Sequence, residues 1–361
     1  MNKFNSIIAM AIVAATFTAC KKDSNEPVIV VPPSDGSTLT LNGLIGAELG
    51  SSAGNSVFVD LSKDKQTSVV RASWDLGFYS GDEFRVILNS TMGSAAVALE
   101  KTDLNQVTAQ DTISLALNTT LTIGQGAGTL THVDPVLGTK STYLAGTVIK
   151  EISATDANNK VYIINRGTAG STENRGWQKV RILRNANGYI LQYAKINETT
   201  FKTLAIAKDA NYNFKTVSFV NGIVNAEPTK ADWDIQWGLN TYRAATDKPA
   251  PLDFVPYTFS DFVVINFIAG VQAGEILTST VSYANFKESD IANVVFKSER
   301  DVIAGNWRFT SNGPLGVKSD RFYVIKDGAG NVYKLKFVSF ISNDGGTRGK
   351  PVIEYKLVKK A

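Results

Sequence analysis

Few side chains in this sequence could carry out chemistry. The 361 residues include one His (His132), one Cys (Cys20) and three Met. A single cysteine excludes an intramolecular disulfide and a Cys-built zinc site, and a single histidine excludes multi-His metal sites. A Ser-His-Asp or Cys-His nucleophile would have to run through His132 alone. Carboxylates are plentiful, including Asp232/Asp234 and Asp60/Asp64, and a glycosidase needs only two. Yet Asp232 and Asp234 flank Trp233 in an expected strand, where alternation puts them on one side with no other sign of a cleft. No enzymatic activity is therefore expected. With 37 basic against 33 acidic residues the charge is too even to predict a nucleic-acid partner.

The position of the cysteine carries more information than its number. Met1 to Cys20 has the form of an export signal: Lys3 at the start, the apolar run Ile7 to Ala15, and Thr18-Ala19 before a cut. Cys20 follows directly and resembles the lipid-modified cysteine of bacterial lipoproteins, which predicts a signal over 1–19 and a membrane anchor at Cys20. Cleavage there leaves Met92 as the one methionine beside the one histidine. Lys21 to Pro27 resembles the charged stretch after the modified cysteine in Bacteroidetes lipoproteins, some of which are sorted to the cell surface. Val28 to Ser37, with Pro32, Pro33 and Gly36, reads as an extended tether, so 20–38 is expected to link anchor and body. No run of 18 apolar residues exists for a membrane-spanning helix.

From Leu39 onward the pattern is β: short runs of Val, Ile, Thr, Phe and Tyr separated by Gly, Asn, Asp and Ser. One or two helical turns are expected near Asn285 to Val295. Ala72-Ser73-Trp74-Asp75-Leu76-Gly77-Phe78 recurs as Ala231-Asp232-Trp233-Asp234-Ile235-Gln236-Trp237, each after an apolar strand. A second strand follows in each case, Phe84 to Gly93 against Phe262 to Gly270, and similar hairpins close both stretches. This order predicts two tandem antiparallel β domains, 39–210 and 211–361. Alternation buries Trp74, Leu76 and Phe78, leaving Asp75 to point away or to cap a neighbouring loop. In the last hairpin Lys334 and Lys336 share a face expected to be solvated.

The Trp-Asp strands, together with Phe322 to Gly328, Asn331 to Phe337 and Ile353 to Leu357, resemble the HmuY family of Bacteroidetes outer-membrane lipoproteins. The resemblance implies an all-β fold with two tandem HmuY-like domains. It also implies capture of haem or a related tetrapyrrole at the cell surface, and delivery to an outer-membrane receptor, expected to be TonB-dependent. Haemophores of the family hold haem between two histidines or two methionines. This chain departs from that pattern, and the pair open to it is Met92 with His132, since haem iron accepts imidazole nitrogen and thioether sulfur. Trp237 and Tyr257 are aromatics that could stack on a flat ligand or a sugar. The competing expectation is a surface module without haem that binds a carbohydrate or a partner protein in nutrient uptake.

Overall fold

Runs of β-branched and aromatic residues, cut by Gly, Asn and Asp, form antiparallel strands through most of the chain, because such side chains pack well on a pleated face. The computed structural model describes residues 31–361 apart from 125–126, 170–174 and 312; the expected signal and Cys20 lie outside the described residues.

The strands fall into four runs along the chain. The first is β1 (Gly36–Thr40), β2 (Asn55–Asp60) and β3 (Lys65–Val70). The second is β4 (Leu76–Tyr79), β5 (Val86–Leu88), β6 (Ala95–Ala98), β7 (Val161–Asn165), β8 (Trp177–Asn185) and β9 (Gly188–Lys195). The third is β10 (Lys202–Ala207), β11 (Phe214–Ser218) and β12 (Gly222–Val224). The fourth is β13 (Ile235–Ala245), β14 (Phe254–Ile265), β15 (Gln272–Leu277), the short β16 (Arg308–Phe309) and β17 (Gly316–Val317), then β18 (Arg321–Lys326), β19 (Val332–Ser339) and β20 (Val352–Lys359). Between β6 and β7 lie the helices α1 (Ala109–Ser114), α2 (Leu117–Thr120) and α3 (Lys140–Ala145).

Hydrogen bonding joins these runs in a way that chain order conceals. Two sheets have the orders β1-β20-β19-β18-β15 and β10-β9-β8-β7-β6; two more have the orders β14-β13-β2-β3 and β12-β11-β4-β5. Run one therefore completes the sheets of run four, with Leu39 opposite Ile353 and Val59 opposite Ile235. Run three completes those of run two, with Leu204 opposite Leu191 and Val217 opposite Leu76. The expected division at 210/211 is not a boundary between bodies. Pro33–Ala361 is one compact unit, in which residues 71–230 build one half and 231–361, closed by 33–70, build the other. A tandem repeat has the same sequence pattern wherever it is cut, and only the long-range pairing fixes where each half begins.

One core gathers Trp237, Trp307, Tyr323 and Tyr355 with the first-run residues Val57 and Leu61; another gathers Phe78, Tyr189 and Leu191 with Val217. Each large apolar side chain removed from water contributes roughly 1.5–3 kcal/mol. Trp237 is fully buried, so it cannot offer the exposed stacking face expected of it. Near Asn285 to Val295 the chain makes a 3-10 turn over Glu288–Asn293, with Phe286 packed edge-on against Phe322. Lys334 is also buried, contrary to the expected solvated face: its Nζ donates to the carbonyls of Tyr283 (2.6 Å) and Phe286 (2.9 Å). Lys179, its counterpart in the other half, donates to the Val107 carbonyl at 2.7 Å. A lysine amine carries three donors and can close a loop of carbonyls, which alternation alone does not reveal.

Candidate functional site

The two Trp-Asp strands are held by matching clasps. Asp75 Oδ2 accepts the Phe219 N–H at 2.8 Å, and Asp234 Oδ2 accepts the Leu61 N–H at 2.8 Å, so each carboxylate ties down a strand from another run. Asn89 Nδ2 donates to the carbonyls of Arg71 and Trp74, both at 2.8 Å; Asn266 Nδ2 does the same to Lys230 and Trp233, both at 3.0 Å. Each asparagine starts a short turn ended by a left-handed glycine, Gly93 (φ 68°) or Gly270 (φ 90°), a conformation that L side chains resist.

Charge separates the two clasps. Arg166 grips both oxygens of Asp75 at 2.8 and 3.0 Å, and Arg175 reaches Oδ1 at 2.6 Å. Asp234 has no ion pair among the described residues, and burial pushes its pKa up to about 7. Of the carboxylates paired in sequence, Asp234 lines a cleft, and the other three are tied down by neighbouring side chains. Asp232 is bound by Lys63 and Thr229, Asp60 by Ser62 and Lys63, and Asp64 by Ser34 and Tyr355.

A hollow of about 640 Å³ opens where β14 meets the loops of both halves. Its position follows from a β-bulge. Opposite β13 the register jumps between Gly238 and Asn240, leaving Ser260 and Asp261 as the bulged residues, with Asp261 at φ 54°. The bulge directs Asp261 toward two guanidiniums. Arg348 donates to Asp261 Oδ2 from Nε (3.1 Å) and Nη2 (2.8 Å), Arg308 Nε lies 3.8 Å from the same oxygen, and Arg308 also bonds the Ser260 carbonyl. Burial lowers the Arg308 pKa. Tyr257 and Phe259 form an aromatic wall, rings 4.8 Å apart and edge to face.

A third cation stands behind the wall residues Ser52 and Ala169. Arg71 is 3% exposed, has no carboxylate in ion-pair range among the described residues, and donates to the carbonyls of Ala53 (2.7 Å) and Ala169 (3.1 Å). Burial lowers its pKa to about 10, so it stays charged at neutral pH. One carboxylate for two guanidiniums, with a third cation close by, makes the cleft attractive to anions.

Met92 and His132 stand beside this cleft but not on its wall. Met92 is buried, and its sulfur faces Arg71 Nη1 at 3.5 Å. His132 lies in a turn that packs on β14, with Nδ1 3.3 Å from the Thr120 carbonyl. Tyr257, named as a stacking aromatic, does line the cleft, and its hydroxyl has no hydrogen-bond partner among the described residues. Sequence reasoning missed Asp261, Arg308 and Arg348. A signal was present: the aromatic alternation of Tyr257 and Phe259 changes phase before Phe262 and Val264, which marks the bulge.

The family model described as HmuY protein matches residues 52–355, nearly the whole body and both halves in a single span. The chain belongs to the HmuY family. That family consists of surface, haemophore-type binding proteins rather than enzymes. No curated protein and no solved structure matches the chain. Among the described residues no helix is long and apolar enough to cross a membrane, and no three His, Cys, Asp or Glu side chains group to hold a metal ion.

The cleft's donor set does not fit the paired axial ligands of the family's haemophores. Among the described residues its wall carries no His, Met or Cys, and the one side chain there with an iron-ligating oxygen of the kind used in haem proteins is Tyr257.

Proposed function

We propose that this protein is a capture protein of the outer-membrane surface, anchored through a lipid on Cys20, that takes a flat, anionic organic ligand into the Tyr257–Arg308–Arg348 cleft and passes it to a TonB-dependent receptor. The observation that carries the reading is the sharing of one carboxylate, Asp261, by two guanidiniums in a cleft of ligand size. Arg348 is partly exposed and can turn its fork to a ligand carboxylate, while Tyr257 and Phe259 offer ring surface. Haem, the ligand of the family, has this chemistry: a flat macrocycle with two carboxylates. Recognition here would rest on those features and not on Met92 with His132.

Porphyrin titrations of the mature protein test this reading. Haemin and metal-free protoporphyrin are expected to bind comparably. Arg348→Ala is expected to weaken both by about tenfold or more, the loss of one charge-assisted contact. Met92→Leu and His132→Ala are expected to leave both unchanged. Failure of both porphyrins to bind, or loss of haemin binding in His132→Ala, overturns it. A second reading, a carbohydrate ligand, is favoured by the hydroxyls of Ser51, Ser52, Thr258, Ser260, Thr310 and Ser311 around the same cleft. Glycan binding that is lost in Tyr257→Ala, with no porphyrin binding, would establish that alternative.

A further inference from the structure

A second hollow lies at the seam between the halves. An outer cleft of about 610 Å³ and an inner chamber of about 90 Å³ share Asn213, Trp233 and Ile268 on their walls. The chamber is lined by polar groups from both halves, among them Ser56, Tyr143, Asn213, Glu227, Trp233 and Arg300. Glu227 Oε1 accepts from Asn213 Nδ2 (2.7 Å) and from Trp233 Nε1 (3.3 Å), and the Asn213 backbone N–H also acts on this carboxyl.

Two groups on the same wall are unmet. Ser56 and Arg300 are each 4% exposed, and Ser56 Oγ and Arg300 Nε have no hydrogen-bond partner among the described residues. The other Arg300 nitrogens are engaged: Nη1 with the Val136 carbonyl and Nη2 with Asn240 Oδ1, both at 3.0 Å. A buried polar atom left unmet costs roughly 1–3 kcal/mol, and native proteins seldom leave several around one hollow. The chamber therefore has the form of a site whose occupant supplies the missing partners. Since a water needs about 10–15 Å³ of such volume, the space suits a molecule of a few heavy atoms.

Charge selects the class of occupant. The ionisable groups facing the chamber are Glu227, Tyr143 and Arg300. Burial pushes the Glu227 carboxyl up to about 8, so at neutral pH it is a neutral donor. Asp134, the next carboxylate in electrostatic reach of Arg300, accepts from the N–H groups of Leu88 (2.6 Å) and Val148 (3.0 Å) and makes no ion pair with Arg300. Among the described residues no carboxylate forms an ion pair with the guanidinium at the chamber.

We propose that the seam chamber is a second binding site, separate from the Tyr257–Arg308–Arg348 cleft, for a small carboxylate of two or three carbons held by Arg300 Nε, Ser56 Oγ and the Glu227 carboxyl. Entry is through the outer cleft, past Trp233 and Ile268. Calorimetric titration of the mature protein with acetate and with glycolate, and with glycerol as the neutral probe, tests it. Saturable binding of the carboxylates without glycerol binding is expected, weakened by several-fold in Ser56→Ala and by about tenfold or more in Arg300→Lys, in line with the loss of one neutral and one charged hydrogen bond. Thermal melts check that each variant folds, and if Arg300→Lys does not, Ser56→Ala decides alone. Absence of carboxylate binding, affinity unchanged in Ser56→Ala, or equal binding of glycerol each overturns the proposal.

Discussion

Glu227→Gln should stabilise this protein near neutral pH, although it alters a hydrogen-bonded buried residue. The carboxyl is displaced from 4.5 to about 8 chiefly by desolvation, with the bonds from Asn213 and Trp233 pulling the other way. For an acid with a raised folded-state pKa, the native chain holds its proton between those two values while the unfolded chain has released it. Stability is thus highest below pH 4.5, falls as pH rises through the window, and levels off above pH 8. At about 1.4 kcal/mol per pKa unit, the full fall attributable to this group is on the order of 5 kcal/mol. Glutamine keeps the shape and the acceptor for Asn213 and Trp233 but has nothing to ionise. Asp134 and Asp234, raised to about 6 and about 7, lower stability over a similar range, but they do so in both proteins and cancel in the difference. Urea unfolding followed by tryptophan fluorescence, from pH 5 to pH 9 in carboxylate-free buffers, should show variant and wild type within about 1 kcal/mol at pH 5 and the variant ahead by roughly 3 kcal/mol or more at pH 8. A difference that stays constant with pH, or a variant that is weaker at pH 8, would refute the assignment of an enclosed, protonated Glu227.

Asn89→Ala and Asn266→Ala should each cost about 2–4 kcal/mol in urea unfolding with unchanged slope, because each strands buried carbonyls of a matching clasp. Met92→Leu should cost less than about 1.5 kcal/mol in the same assay, since it preserves volume and removes only the sulfur contact of an Arg71 that keeps its carbonyl partners. A circular permutant that joins Ala361 to Pro33 by a short linker and opens between Pro228 and Thr229 should remain folded by circular dichroism, because Gly36 lies opposite Lys356 and the Asp35 carbonyl accepts the Leu357 N–H at 2.9 Å. Loss of fold in that permutant would mean that chain order, and not only strand pairing, holds the halves together.

Much of this architecture was legible in the sequence because it is local. Alternation at Trp74, Leu76 and Phe78 marks a strand, and the parallel placement of Asp75 with Asp234 and of Asn89 with Asn266 exposes the internal repetition. The capping role open to Asp75 is the one it takes. What could not be read was set by contacts distant in sequence. Which half β1–β3 complete depends on pairing with residues about 180 to 320 positions away. Lys334 lies on an alternating face that looks solvated until the 283–286 loop covers it. Met92 looks like a free thioether until Arg71, brought in by the Arg71–Ser73 turn, faces its sulfur. The phase change at Ser260-Asp261 was visible, but nothing local says that Arg308 and Arg348 converge on it.

Neither candidate site belongs to one half alone. The cleft takes Ile123, Thr168 and Ala169 from one half and Tyr257, Arg308 and Arg348 from the other; the seam chamber takes Glu227 and Tyr143 from one and Ser56 and Arg300 from the other. Closure by 33–70 contributes to both, through Ser51 and Ser52 in the cleft and Ser56 in the chamber. The interleaving thus does more than join two β units: it builds both of these concave surfaces from residues of both halves. The clasps show the same division. Asp75, fully compensated by Arg166 and Arg175, is committed to structure, whereas Asp234 has no cation in ion-pair range among the described residues and lines the outer cleft of the seam. A carboxyl at the same place in the repeat has a different electrostatic setting because Arg166 and Arg175 flank Asp75, whereas among the described residues no ion-pair partner flanks Asp234. Binding at these two sites therefore depends on the seam, and variants that weaken the pairing of β2 with β13 should reduce ligand binding before they reduce strand content.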